Sequence, residues 1–287
     1  MTQADGSEKS IELIDTHCHI QSAGNSIGEH ATRELWAGDS ALTGDTIIAR
    51  AHEAGVSQLI CVGCDLEDSH LAIDFVKQRQ NCWASVGIHP HEAQHYATNS
   101  EKKAAFAALI REPKVIGIGE CGLDYFYQHS PKADQLTLLH FQFQLAQDAD
   151  LPMIFHVREA LDDFWPVFDS YNTAERQIRG VLHSFTDNRA NLEKALQRGL
   201  YIGVNGIATF AKSETQLAVY RSIPLDRILL ETDAPFLTPV PYRGTINESK
   251  YIRVIADFIA KLRGESFENL SYASTSNART LFGLTKD

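Results

Sequence analysis

Nowhere in these 287 residues does an apolar run approach the eighteen or so residues that a bilayer-spanning helix needs, and the opening MTQADGSEKS lacks the apolar segment of a secretory leader. The sequence reads as cytoplasmic, with residues 1–10 as a flexible tail. Cysteine is scarce and odd in number: Cys18, Cys61, Cys64, Cys82 and Cys121 are scattered through apolar, strand-like runs, which argues for buried reduced thiols and against a disulfide framework. The pair CVGC has no second pair to complete a zinc site, so it reads as part of a strand. Basic charge is in deficit, 26 Lys and Arg against 37 Asp and Glu, and a net charge of −11 excludes a grip on nucleic acid through a broad basic face. Any polyanion must be held by local features. Also missing are a Gly-rich phosphate loop, a dinucleotide fingerprint and a GxSxG elbow.

What is present is an alternation. Short runs rich in Val, Ile and Leu occur at 13–19, 58–63, 82–89, 115–124, 152–157, 180–185, 200–206 and 228–236. Between them lie longer stretches of helical period, such as DTIIARAHEAG and NRANLEKALQRG. Eight strands, each followed by a helix, predict an α/β protein of (β/α)8 TIM-barrel type, and this length suits such a barrel as one domain covering 1–287. No repeat, low-complexity stretch or Pro/Ser-rich linker argues for a second domain. The one long irregular segment, residues 20–43, follows the first strand and would sit on the catalytic face as a lid or binding loop.

Two histidines two residues apart in LIDTHCHI share one face of a strand, so His17 and His19 can converge on one ion while Cys18 points away. Taken alone, the pair is equally a hydrogen-bonded polar pair in a core. The other strand ends change the balance. Glu120 ends the fourth run, His156 the fifth, His183 the sixth and Asp233 the eighth. Catalytic groups in a barrel come from the C-terminal ends of several strands. Four imidazoles and two carboxylates buried together without an ion would leave repelling or unsatisfied groups, at a cost of several kcal/mol. Six ligands exceed one four-coordinate zinc and fall short of two closed sites, so they suggest two divalent ions sharing a carboxylate. In that arrangement His17, His19 and Asp233 hold one ion, His156 and His183 the other, and Glu120 bridges. Mixed imidazole and carboxylate ligation suits Zn, Mn or Mg. The implied reaction is metal-assisted hydrolysis, with Glu120 and Asp233 as the catalytic carboxylates and Asp233 able to take a proton from the attacking water.

These tracts, DTHCH, VGIHPH, GECGLDYFY, FHVREA, VLHSFT, GVNGIATF, PLDRILLETDAPFLTPVPYRG and the NE at Asn247–Glu248, resemble the TatD family of metal-dependent deoxyribonucleases, a branch of the amidohydrolase-like barrels. The resemblance runs nearly end to end. It implies a TIM-type barrel, two divalent metals and hydrolysis of phosphodiester bonds in DNA, often from the 3′ end. It places the metal ligands on His17, His19, Glu120, His156, His183 and Asp233. Three positions depart from the pattern: HCHIQ stands where HxHLD is common, Ser249 follows NE in place of proline, and the first loop is longer. No ligand is lost.

Lesser candidates are His89 and Asp124, Arg158 and Arg243, which would orient ligands or meet a substrate phosphate. A structural salt bridge or hydrogen bond is the competing reading of each. The remaining histidines, His30, His52, His70, His95, His129 and His140, read as surface residues. The leading expectation is a monomeric two-metal phosphodiesterase acting on DNA ends or single-stranded DNA, without a membrane or an obligate protein partner. The alternatives are a metallo-hydrolase of the same fold acting on a small ester, amide or nucleobase, and a non-catalytic protein using the site as a structural metal centre.

Overall fold

A computed structural model describes residues 11–25 and 30–285. The expected tail at 1–10 lies outside the described residues. Eight parallel strands follow one another around a sheet in chain order: β1 (Leu13–Cys18), β2 (Val56–Val62), β3 (Cys82–Val86), β4 (Val115–Asp124), β5 (Met153–Arg158), β6 (Gly180–Leu182), β7 (Tyr201–Val204) and β8 (Ile228–Leu230). The sheet closes where β8 returns to β1. Cys18 bridges Ala234, His19 N donates to Ala234 O at 2.8 Å, and Asp233 N donates to His17 O at 2.8 Å. Buried Asp15 adds a side-chain tie, accepting from Thr232 N at 2.9 Å and Thr232 Oγ1 at 2.6 Å. Burial pushes the Asp15 carboxyl up to about 7, against those hydrogen bonds. The result is a single-domain (β/α)8 TIM-type barrel, as the alternation predicts.

Side-chain alternation divides the core in two. Ile14, Ile60, Val62, Ile154, Val181, Tyr201 and Leu229 meet in one cluster, with Trp83 and Ile116 against it; residues from all eight strands can meet only inside the barrel. The helix Phe267–Phe282 contributes Ala278, Leu281 and Phe282 to the same cluster, so the end of the chain stoppers the N-terminal mouth. The opposite strand faces, among them Leu13, Cys61, Ala84 and Phe155, pack outward on helices through Ile47, Phe143, Phe164 and Ile255. All five cysteines are buried and free.

Strand boundaries depart from the sequence reading in an informative way. The sixth and eighth runs form regular strand over only three residues each, and beyond Leu182 and Leu230 the backbone keeps single hydrogen bonds to its neighbours, as from His183 N to Phe155 O and Glu231 N to Val204 O. The segment 20–43 is, in its described residues, more regular than the sequence reading expects. It begins with a 3-10 turn at Ile20–Ser22 and includes the helix His30–Trp36. Trp36 is buried, and its indole Nε1 donates to His19 O at 3.0 Å. This segment packs behind β1 and braces the second histidine.

Candidate metal centre

The C-terminal mouth of the barrel gathers the residues singled out at the strand ends. A register shift between Asp15 and Cys18 in the β1–β2 pairing marks a bulge, and His19 lies just past the strand. His17 and His19 therefore converge, Nε2 to Nε2 at 3.2 Å, while Cys18 joins the outer core and donates its thiol to Ile60 O. Asp233 lies three residues past β8 in a left-handed backbone conformation, φ 61, which a non-glycine residue adopts at a cost and typically at functional sites. Asn247 of the NE pair fixes that turn, donating through Nδ2 to Thr232 O at 2.8 Å and Phe236 O at 2.5 Å. Asp233 Oδ1 then lies 3.3 Å from His19 Nε2, 3.6 Å from His17 Nε2 and 3.8 Å from His183 Nε2.

Glu120 stands in the middle. Its Oε2 is 3.3 Å from His17 Nε2, and its Oε1 is 2.8 Å from His156 Nδ1 and 3.8 Å from both His183 Nε2 and His89 Nε2. Gly87 makes this approach possible, since a Cβ there would run into the backbone of Glu120. His156 meets His183 only through this shared carboxylate.

Outer ring nitrogens are engaged at His19, His183 and His156, whereas His17 Nδ1 is buried without a hydrogen-bond partner among the described residues. His19 Nδ1 donates to Val62 O at 2.8 Å, and His183 Nδ1 faces Glu231 Oε1 at 3.0 Å, so each ring presents Nε2 inward. Asp124 Oδ2 holds His156 Nε2 at 2.9 Å and His91 Nε2 at 3.1 Å, leaving His156 Nδ1 to Glu120. His17 and His183 stack with ring centroids 3.6 Å apart. Burial and the neighbouring His183 push the His17 imidazole down. Burial works against charge on His156 and His183 too, but Asp124 and Glu120 around the first, and Glu231, Glu120 and Asp233 around the second, raise each to about 9. Burial alone would raise Glu120 and Asp233; the surrounding imidazoles hold both carboxyls below their usual range instead.

This donor set fits a divalent cation. Imidazole nitrogens aimed inward, those of His19, His156 and His183 with their other nitrogens held by partners, and carboxylates between them balance charge only by taking up protons or an ion. Among the described residues, the groups close enough to share a cation are His17, His19 and Asp233; His17, His183 and Glu231; His19, Cys64 and Glu120; and His89, His91 and His156. Cys64 Sγ lies 3.9 Å from His19 Nδ1, but burial pushes its thiol up, so the mixed nitrogen and oxygen set is the competent one.

The lesser candidates divide. His89 faces Glu120 and packs against His156 at a centroid distance of 4.5 Å, and burial with His156 beside it pushes the ring well below its ordinary pKa. Asp124 orients His156. Arg158, two residues beyond His156, lies over exposed rings at the rim. Arg243 donates to Thr238 O at 2.9 Å and its guanidinium lies over Phe210 at 4.2 Å, contacts that fit the structural reading beside the expected phosphate contact. His52, His70, His95, His129 and His140 are exposed as expected; the side chain of His30 lies outside the described residues. Glu231 escaped the sequence reading. Its signal was a glutamate two residues before Asp233 at the end of an apolar strand.

A model of the family described as TatD related DNase matches residues 14–283. The chain belongs to this family. An uncharacterised metal-dependent hydrolase, YabD of Bacillus subtilis, is 32% identical over 95% of this chain and 99% of its own length. A protein named 3′-5′ ssDNA/RNA exonuclease TatD from Erwinia amylovora is 35% identical over 90% of this chain and 99% of its own length. Among solved structures, the TatD homologue YjjV of Escherichia coli superposes with a TM-score of 0.82 at 26% identity, covering 95% of this chain and 98% of its own. No helix of the described residues is long and apolar enough to cross a membrane.

Proposed function

We propose that the protein is a metal-dependent 3′-5′ exonuclease acting on single-stranded DNA or DNA ends, working as a monomer in the cytoplasm. The observation that carries this reading is the convergence of His17, His19, Glu120, His156, His183 and Asp233 at one mouth of the barrel, with inward nitrogens oriented by Val62, Asp124 and Glu231. Membership in a family whose relatives are named exonucleases supplies the substrate class. In this reading His17, His19 and Asp233 hold one ion, His156 and His183 the second, and Glu120 bridges them. Two divalent ions bound there would acidify water to a pKa of roughly 7 and neutralise phosphate charge. Asp233, held ionised by its imidazole neighbours, accepts the proton of the attacking water. His89, at the edge of the centre, can hydrogen-bond a phosphate oxygen, and Arg158 meets the next phosphate outward.

Metal analysis of the purified protein, followed by cleavage of 3′-labelled and 5′-labelled single strands with Mg, Mn and Zn, tests ion number, reaction class and polarity together. Cleavage from the 3′ end with close to two ions per chain is expected. Turnover of simple esters with every strand left intact would move the assignment to a small-molecule hydrolase of the same fold.

A further inference from the structure

Phe126 and Tyr127 are 48% and 52% exposed, although each is a large apolar side chain next to the centre just described. Scattered exposed rings need no explanation, but these two are neither scattered nor loose. They follow β4 directly, and Asp124 Oδ1 accepts from Phe126 N at 3.0 Å and Tyr127 N at 2.8 Å. The other oxygen of the same carboxylate holds His156. One buried group therefore fixes both a metal-centre imidazole and the ring pair. The rings meet edge to face at 4.8 Å, and Tyr127 lies parallel to His129 at 5.8 Å. The Arg158 guanidinium lies over both, 4.3 Å from Phe126 and 5.0 Å from Tyr127. Arg158 also borders a cavity of about 390 Å³ lined by His183, Phe185 and Ile207, so it stands between the rings and the catalytic mouth.

An occupant of this rim must offer a flat apolar face to the rings and negative charge to the guanidinium beside them. An unpaired nucleotide does both; a base pair inside a duplex keeps its faces stacked and hidden. Stacking also answers the charge problem set by the composition. A chain of net charge −11 gains little from a general electrostatic grip, whereas base stacking on aromatic rings binds single strands with little regard to sequence. We propose that Phe126 and Tyr127 form a stacking platform for unpaired bases of the substrate strand, with Arg158 taking the phosphate between platform and catalytic mouth. The proposal rests on the nuclease reading above and names the feature that makes the site selective for single strands.

The test compares cleavage of a single strand with cleavage of the same strand carrying abasic residues near its 3′ end. Phe126→Ala/Tyr127→Ala is expected to raise KM for the base-bearing strand by about 10- to 100-fold, with the loss concentrated in KM rather than kcat. The preference of the wild-type enzyme for base-bearing over abasic strand should collapse with it. Phe126→Leu/Tyr127→Leu, which keeps apolar bulk without rings, should behave like the alanine pair, and Tyr272→Ala, an exposed ring on the C-terminal helix, should behave like wild type. Binding is read separately by quenching of a 2-aminopurine strand, which the wild-type protein should produce and the double variant lose. Unchanged KM and unchanged base preference in the double variant, from a wild-type enzyme that cleaves the strand, would overturn the platform. If the wild type cleaves no strand, the nuclease reading falls, and the quenching result still decides whether the rings bind bases.

Discussion

Ile14 and His17 stand three residues apart on β1, yet they belong to opposite ends of the barrel and to opposite kinds of chemistry. Around Ile14 the interior is closed by Val181, Leu229 and the final helix through Leu281 and Phe282, with no carboxylate, imidazole or cation in the cluster. Around His17 the same strands present imidazoles and carboxylates at 2.8 to 3.8 Å. The lower end gains by hiding apolar surface. The upper end holds charges that cost stability to bury and are matched only by one another or by an ion. Stability and chemistry are thus divided along one set of strands, and changes at each end should be felt differently.

The largest effect is expected at the upper end and in activity. Glu120→Ala or Asp233→Asn should lower nuclease activity by about 10³-fold or more, equivalent to about 4 kcal/mol of barrier, while circular dichroism shows the fold retained. Substantial cleavage by either variant would remove these carboxylates from the mechanism. The converse change is Phe282→Ala below. Emptying a buried aromatic site should cost roughly 3 to 5 kcal/mol, seen as a fall of about 10 °C in melting temperature, with kcat/KM unaltered in the remaining folded protein. A selective loss of kcat/KM in that variant would mean that the two ends are mechanically coupled.

The sequence exposes these ends unequally. The lower end is legible as a pattern, because apolar residues recurring in eight short runs can form only a few sheet topologies, and the helical stretches between them leave a parallel barrel. The six candidate ligands are legible as ionisable residues where apolar runs stop. What is not legible is how backbone irregularity aims them: the bulge that turns His17 inward, the left-handed turn under Asp233, and the tryptophan behind His19 all depend on residues distant in the chain. The segment 20–43 looks irregular for the same reason, since its helix is short and its anchor, Trp36, bonds to the backbone of another element. Arg243 is legible as a cation in a motif, but its bond to Thr238 O and its place over Phe210 depend on neighbours the pattern does not show.

Acidity separates the two ends further. His156 and His183 are raised to about 9 in the metal-free protein, so the stability they contribute is complete below the ordinary histidine value near 6.5 and is lost as pH rises through 9. Metal binding runs the other way, because ligating imidazoles must be deprotonated. Displacing these protons should make affinity rise with pH between roughly 6.5 and 9. The gap in melting temperature between metal-loaded and metal-free protein should widen over the same interval. A gap independent of pH would show that these imidazoles are already neutral before the ion arrives.

Glu231 lies on the boundary and offers the finest test. It sits just past the last paired residue of β8, buried to 1% exposure, between Leu229 of the apolar cluster and Asp233 of the centre. Its Oε1 accepts from Ser184 N at 2.7 Å and faces His183 Nδ1 at 3.0 Å, and the bare Cα of Gly203 leaves the space its carboxylate occupies. If Glu231 serves only to satisfy Ser184, Glu231→Gln should be nearly neutral for metal binding, since the amide oxygen still accepts. If it sets the tautomer and charge of His183, losing the carboxylate should weaken metal affinity by about 10- to 100-fold and shift the pH dependence of binding toward lower pH, because His183 then releases its proton more easily. Calorimetric titration at two pH values separates these outcomes. An unchanged affinity with a lowered melting temperature would assign Glu231 to the stabilising end, and the boundary between the two chemistries would move up the barrel to Asp233.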